Sequence, residues 1–244
     1  MAAPPLPAGP AARPPDKRRY VRQIFSDIAP RYDLLNRVLS MNIDRSWRRR
    51  AIARLGWEHR QPGVFLDACA GTLDLAAELA AGRGFQGRVV ATDFALPMLR
   101  LGDGKGPPGR IQRAVADTLQ LPAADASFDG AMVGFGVRNL AGLDEGLREL
   151  ARVLKPGARL VVLDFSTPPF APLRALYLFY FRRVLPLVGR LVSGHPTAYS
   201  YLPESVMDFP APAELESRMQ RAGLRDCGHE LLTGGIAAVT WGTR

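Results

Sequence analysis

Apolar residues return at helical intervals early in the chain. In residues 18–29, RRYVRQIFSDIA, the side chains of Val21, Ile24, Phe25 and Ile28 fall on one helical face. YDLLNRVLS and DRSWRRRAIARLGW continue in the same style. At Val64 the period changes. VFLDA, GRVVATDF, GRIQRAVAD, FDGAMVGFGV and ARLVVLDFS read as five strands. Between them LDLAAELAAG reads as a helix stopped at Gly82, Pro97 opens another, and LDEGLRELARVLKPG is a third, stopped by Pro156 and Gly157. Strands and helices alternating at this length predict an α/β fold with a doubly wound parallel sheet.

Residues 168–210 interrupt the alternation with a long apolar helix and then SGHPTAYSYLPESVMDFP, which reads as a helical insertion or substrate lid. PAELESRMQRAGL is a further amphipathic helix. DCGHELLTGGIAAVTWGTR predicts a closing hairpin around Gly234 and Gly235, an antiparallel edge on a mostly parallel sheet. The expected organisation is a disordered Pro/Ala-rich basic tail over residues 1–19 and one domain over 20–244, with 20–60 as a helical cover.

Composition narrows the picture. The chain has 244 residues, enough for one good-sized domain, and 47% apolar content, ordinary for a globular protein. Two cysteines exclude a disulfide framework and a Cys-rich zinc site, and no metal site is expected. Residues 1–60 hold thirteen Lys and Arg against five Asp and Glu, so all but one of the nine net positive charges lie there. Such a flank meets nucleic acid, an anionic membrane or an acidic substrate, or is simply solvated. No run of 18 apolar residues lacks charge, and the N-terminus lacks the pattern of a secretory signal, so the cytoplasm is the expected compartment.

The candidate chemistry sits at strand ends. Asp67 ends the first strand, Asp93 the second, and Asp117 follows the third. Ligands of open α/β sheets bind beyond the carboxyl ends of the strands. The loop at Ala70, Gly71 and Thr72 carries a single glycine, with Leu73 where a second would serve a pyrophosphate. S-adenosylmethionine (SAM) has no phosphate. Its ammonium, ribose hydroxyls and adenine amine suit acidic strand ends, so the loop fits SAM better than a dinucleotide. On this reading Leu73 begins the helix with ordinary right-handed angles.

YDLLNRVLSMNIDRSW, LDACAGTLDLA, GFGVRNL, RVLKPGARLVVLDFSTP and YSYLPESVMDFP together resemble the UbiE/MenG-type quinone methyltransferases, over nearly the whole chain beyond the tail. The resemblance implies a class I SAM-dependent methyltransferase with a Rossmann-like sheet. Its activity would be C-methylation of the ring of demethylmenaquinone or of a ubiquinone precursor. GFG and TGGIAA are more similar to the menaquinone branch. Carried over by position, SAM contacts fall on Thr72, Asp93, Asp117, Thr118 and Gly134. The chain departs from the family pattern at Asp44, where histidine is usual, at Leu35 for methionine, and at Leu73 and Ala158 for glycine. No mechanism should therefore lean on position 44 as a base.

Arg138 and Asn139 follow the fourth strand, beside the expected methyl position. Arg138 is expected to stabilise a developing phenolate and Asn139 to orient it; the alternative for Arg138 is a bond to strand-end carbonyls. Tyr32, with Asp33 and Asn36, is expected to cover the SAM pocket, and Tyr201 to line the quinol site or fill the core. His195 and His229 read as surface or packing residues. In APLRALYLFYFRRVLPLVGRLV the apolar Leu173, Leu176, Tyr177, Tyr180, Val184, Leu187 and Val188 share helical spacing, broken by arginines. That helix reads as an interfacial segment reaching a polyprenyl substrate at the inner face of the membrane, as a lid, or as a homodimer face. Two rival functions stand beside the quinone reading. A nucleic-acid methyltransferase is disfavoured because GFGVRN replaces the Asp/Asn-Pro-Pro-Tyr motif of amine methylation and neither cysteine is placed as a nucleophile. The other is a non-catalytic SAM-binding protein.

Overall fold

Strands covered by helices on both faces must be apolar throughout. β1 (Val64–Ala68) is buried from Phe65 onward, and β4 (Phe128–Gly134) is buried from Gly130 to Val133. The remaining strands are β2 (Arg88–Asp93), β3 (Ile111–Val115), β5 (Leu154–Phe165), β6 (Arg225–Leu232) and β7 (Ala237–Thr243). They form one seven-stranded sheet of order β3-β2-β1-β4-β5-β7-β6. The computed structural model describes residues 14–29, 40, 42–184 and 198–244.

β1 to β5 are mutually parallel, and strand order reverses between β1 and β4. The carboxyl ends of those two strands flank the crevice where such sheets bind ligands. The closing hairpin forms as expected and makes the antiparallel edge of the sheet, with β7 inside and β6 outermost. β7 pairs with β5 on one side and β6 on the other. Burial explains the order: β7 is buried along most of its length, whereas β6 is half exposed and suits an edge.

The helices are α1 (Pro14–Ile28), α2 (Ile43–Leu55), α3 (Asp74–Ala80), α4 (Leu96–Leu101), α5 (Leu143–Val153), α6 (Ala171–Phe179), α7 (Ala198–Met207) and α8 (Pro212–Arg221). Alternate strand residues face opposite sides. Phe65, Met132, Val161 and Leu163 pack with Trp47, Ala51 and Leu55 of α2 and with Leu75 and Leu79 of α3. Leu66, Ala131, Val133 and Val162 pack with Leu147 and Leu150 of α5 and with Leu215 and Met219 of α8. α5 ends at Val153, three residues before Pro156. The Lys-Pro-Gly turn instead lies within β5, where Phe128 faces Leu154 and Gly130 faces Arg159.

Three expectations need correction. The tail boundary moves, because α1 begins at Pro14. Pro14 and Pro15 suit a helix start. Lys17 of α1 donates from Nζ to the carbonyls of Leu140, at 2.8 Å, and Arg138, at 3.2 Å. Second, Leu73 is left-handed, at φ 68° and ψ 18°, and the helix starts one residue later. Its side chain is buried against Gly102, where an added Cβ would lie 2.4 Å from Leu73 Cγ. Third, the apolar stripe of the insertion is divided. Tyr177 is buried while Leu176 is exposed, and a π-turn over Tyr180–Val184 changes the helical phase. Leu187, Val188 and Arg190 of that stripe lie outside the described residues, as do His195, Tyr32, Asp33, Leu35 and Asn36.

Part of the basic flank pairs within the molecule. Arg48 reaches Asp44, Asp74 and Glu78, Arg49 reaches Glu78, and Arg50 and Arg54 both reach Glu230. Asp44 also accepts a bond from Ser40 Oγ at 2.7 Å, so both its oxygens are engaged. The Asp74 and Glu78 pairs tie α2 to α3, and the Glu230 pairs tie it to β6.

Candidate active site

The β1–α3 loop is thin where it needs to be. Gly71 is left-handed at φ +53°, and its N–H donates to Asp93 Oδ2 at 2.9 Å. Asp93 Oδ1 accepts the Ala95 N–H at 2.8 Å, so one strand-end carboxylate stitches two loops together. Across the crevice, a Cβ on Gly136 would lie 2.3 Å from Cys69 Cβ. Only glycine permits the chain after β4 to come so close to the chain after β1.

A cleft open to solvent lies over these ends. Gly71, Asp93, Asp117, Thr118, Gly134 and Asn139 line it, so six sequence-predicted residues meet in one place. Asp117 also accepts the Leu119 N–H at 2.9 Å and pairs with Arg18 of α1 at 3.0 Å. Thr118 Oγ1 is 3.3 Å from Cys69 Sγ, and burial pushes that thiol up to about 12. Burial also raises the Asp93 carboxyl, partly offset by its backbone donors. The donor set fits SAM: two carboxylates for hydroxyl or amine groups, a thin glycine-lined floor, and the apolar Phe94 and Met98 beside them.

Other predicted residues stand elsewhere. Asp67 does not line the cleft. It is sealed under the loop, its Oδ2 accepting the Ala76 N–H at 2.9 Å near the start of α3, and burial pushes it up to about 8. Thr72 is buried and likewise absent from the lining. The Arg138 guanidinium is buried, its Nη1 donating at 2.6 Å to both Asp164 Oδ1 and the Phe135 carbonyl. It therefore does not line the cleft directly. Tyr201 is buried and donates from its hydroxyl to Asn139 Oδ1 at 3.0 Å, which links it to the cleft wall. His229 pairs with Glu216 on the edge strand.

Beside the cleft is a packed cluster of aromatic rings. Phe135 and Phe165 rings are 4.9 Å apart, Trp47 packs on both, and Phe165 meets Phe181, which stacks against Tyr177 at 4.3 Å. Arg138 lies 5.3 Å from the Phe165 ring centroid. Phe135 lines the cleft and packs in this cluster, so the rings back one wall of the cleft. Sequence reasoning missed Arg18, Phe94 and Asp164. Asp164 was readable by the rule used for the other acids, since it stands at the carboxyl end of β5.

The sequence profile of the ubiE/COQ5 methyltransferase family matches residues 15–244. The chain is 48% identical over 223 residues to a demethylmenaquinone methyltransferase of Thermus thermophilus, covering 91% of this chain and all of that one. It is 43% identical to the ubiquinone/menaquinone biosynthesis C-methyltransferase UbiE of Geotalea daltonii, over 94% of this chain and 98% of the relative. Among solved structures, a SAM-dependent methyltransferase of Thermotoga maritima superposes with a TM-score of 0.66 at 18% identity, covering 91% of this chain and 99% of that one. The [4+2]-cyclase SpnF does so at 0.67 and 15%, over 98% and 99%. At those identities the likeness shows the fold, a Rossmann-like class I methyltransferase, and a cyclase on the same fold is a reminder that chemistry lies in the site.

Proposed function

The chain belongs to the ubiE/COQ5 methyltransferase family and is a SAM-dependent C-methyltransferase, and on that premise we propose that its acceptor is the reduced ring of a polyprenyl demethylmenaquinone. One observation carries the reading: an acid-lined, thin-floored cleft is walled on one side by a cluster of aromatic rings, an apolar surface suited to an aromatic acceptor. The name of the Thermus relative, a demethylmenaquinone methyltransferase, points the same way.

Bound SAM supplies a methyl group on a sulfonium sulfur. The acceptor must be the hydroquinone, because a quinone carbon is too electron-poor to attack. The ring carbon takes the methyl group as the sulfur keeps the bonding pair, and the ring C–H proton then leaves, so one proton is released per turnover. The protein aligns the two reactants and excludes water. Asp93 and Asp117 seat the ribose hydroxyls and the adenine amine. Gly71 and Gly134 let the ligand approach the backbone, with Thr118 beside them. Asp67 and Thr72 act one layer below: Asp67 holds the start of α3 and so fixes the loop. Asn139, fixed by Tyr201, stands at the aromatic wall of the cleft. Arg138 contributes its charge from behind that wall, held by Asp164. α1 closes the cleft on one side, and the described residues of the insertion, 168–184 and 198–210, serve as the lid over the aromatic cluster.

The same insertion is proposed to meet the membrane where a polyprenyl substrate resides. No helix among the described residues is long and apolar enough to cross a membrane. α6 nonetheless exposes Phe170, Leu176 and Phe179 beside Arg174 and Arg183. A bilayer surface on the cytoplasmic side is the setting this face fits.

The test is methyl transfer from labelled SAM to demethylmenaquinol and to a reduced ubiquinone precursor, each with and without reductant. Transfer to demethylmenaquinol that requires reductant is the expected result. No transfer to it, or faster transfer to the ubiquinone precursor, would overturn the acceptor assignment.

A further inference from the structure

Two neighbouring faces of α1 do different work. Arg18 and Phe25, seven residues apart, line the cofactor cleft. Lys17, Tyr20, Val21 and Ile24 recur at the spacing of a single helix face. Tyr20, Val21 and Ile24 are buried against Tyr201 and Val206 of α7 and Tyr177 of α6. Tyr20 meets Tyr201 edge-on, with ring centroids 5.6 Å apart. Lys17, at the start of that face, spends its ammonium on main chain: Nζ donates to the Leu140 carbonyl at 2.8 Å and to the Arg138 carbonyl at 3.2 Å. Carbonyls at the end of a helical turn need donors from outside it, and these two flank Asn139. Asn139 and Leu140 both line the cleft. The Asn139 side chain accepts from the Tyr201 hydroxyl at 3.0 Å and donates from Nδ2 to the Phe135 carbonyl at 3.3 Å. One face of α1 thus governs the cleft-wall asparagine twice, through its backbone by Lys17 and through its side chain by the tyrosine on which Tyr20 packs.

We propose that Lys17 is a positioning residue for methyl transfer: by holding the carbonyls on either side of Asn139, it fixes that side chain at the cleft wall where cofactor and acceptor meet. The proposal rests on the acceptor reading given above only in the quinol used to test it. α1 does not need Lys17 to stay docked. Its apolar residues anchor it at both ends of the face, Tyr20, Val21 and Ile24 on the insertion and Phe25 and Ala29 on Phe94, Ala95 and Met98. Loss of the ammonium therefore frees the turn after β4 while the helix remains in place. The acids that seat the cofactor are untouched by that change, since Asp93 is held by the N–H groups of Gly71 and Ala95, and Asp117 accepts the N–H of Leu119. Lys17 thus acts on alignment, the step in which small displacements cost most, and leaves cofactor affinity alone.

The experiment compares the full chain with Lys17→Met, Lys17→Arg and, as a control for charge on the same helix, Arg19→Met, whose parent side chain is exposed. SAM affinity is read by titration calorimetry. Steady-state turnover is read on demethylmenaquinol and on a reduced ubiquinone precursor, and the variants are compared on whichever quinol the parent methylates faster. Lys17→Met keeps an apolar stem and loses the donors. Its kcat should fall at least about tenfold, since a misplacement of about 1 Å can cost about 100-fold, while its SAM affinity stays at the parent's value. Lys17→Arg presents several N–H donors to the same two carbonyls and should restore most of the loss. Arg19→Met should match the parent. Parental kcat in Lys17→Met would overturn the proposal. So would a fall in SAM affinity equal to the fall in kcat, which would make Lys17 an anchor of α1, or an equal loss in Lys17→Arg or Arg19→Met. A parent that methylates only the ubiquinone precursor overturns the acceptor reading and still tests Lys17; a parent that methylates neither quinol overturns both.

Discussion

The Asp67 carboxyl lies under the cofactor loop, with Oδ2 bonded to the Ala76 N–H, Oδ1 unpartnered among the described residues, and a pKa raised by burial to about 8. In the unfolded chain the same group titrates near 4. Between those values the folded chain holds the extra proton, so this group favours folding most at low pH and that contribution is lost as pH rises toward 8. Asp67→Asn keeps an oxygen for the Ala76 N–H and cannot titrate. Its melting temperature should change less between pH 5 and pH 8 than the parent's, as read by calorimetry; parallel curves would show that Asp67 is not the responsible group. Sequence alone placed Asp67, Asp93 and Asp117 together because all three follow strands. It could not distinguish a carboxylate facing a ligand from one that pins the next helix, since both stand at the same chain position. Leu73 was misread for a related reason. Its identity favours right-handed angles, and only the space left by Gly102 shows why the chain accepts a left-handed leucine there. Asp164 was readable and overlooked, because attention stayed on the first three strand ends.

α1 shows what periodicity detects and what it omits. Its apolar face, from Tyr20 and Val21 onward, was legible, and Phe25 and Ala29 pack on Phe94, Ala95 and Met98 as such a face should. Its first six residues carry no apolar repeat and looked like tail, yet they include the side chains that bind the body. Lys17 bonds the carbonyls of Arg138 and Leu140, and Arg18 pairs with Asp117 at the cleft. The Arg18 and Asp117 side chains are 49% and 33% exposed, so their pair is worth no more than about 1 kcal/mol. If Arg18 competes with the adenine amine for Asp117, Arg18→Ala should tighten SAM binding by at most about fivefold by titration calorimetry. Weaker binding in that variant would make Arg18 a ligand rather than a competitor. The insertion was legible as helical and apolar, but not which residues of its stripe are covered. That depends on the π-turn after α6, whose change of phase no fixed spacing anticipates.

At the scale of the whole molecule, the parallel order and the crevice between β1 and β4 followed from strand–helix alternation. The position of β7 followed only from burial, because a hairpin can add to a sheet by either strand. Of the thirteen basic residues in the flank read as a face for an anionic partner, Arg48, Arg49, Arg50 and Arg54 are paired with Asp44, Glu78 and Glu230. A second candidate surface is α6. Phe170, Leu176 and Phe179 are 60–66% exposed there. The chain should float with anionic liposomes, and Leu176→Glu with Phe179→Glu should abolish that. A parent chain that stays with the soluble fraction would remove the membrane contact, and a dimer dissolved by the same pair of changes would give the face to a second copy. The inner placement of β7 also bears on how the protein is made. Until residues 237–243 leave the ribosome, β5 carries a bare row of amides and carbonyls along one side. During synthesis that row is open to any passing strand, including one from a neighbouring nascent chain. Trimming those residues would split the sheet internally, leaving β6 with nothing to hold.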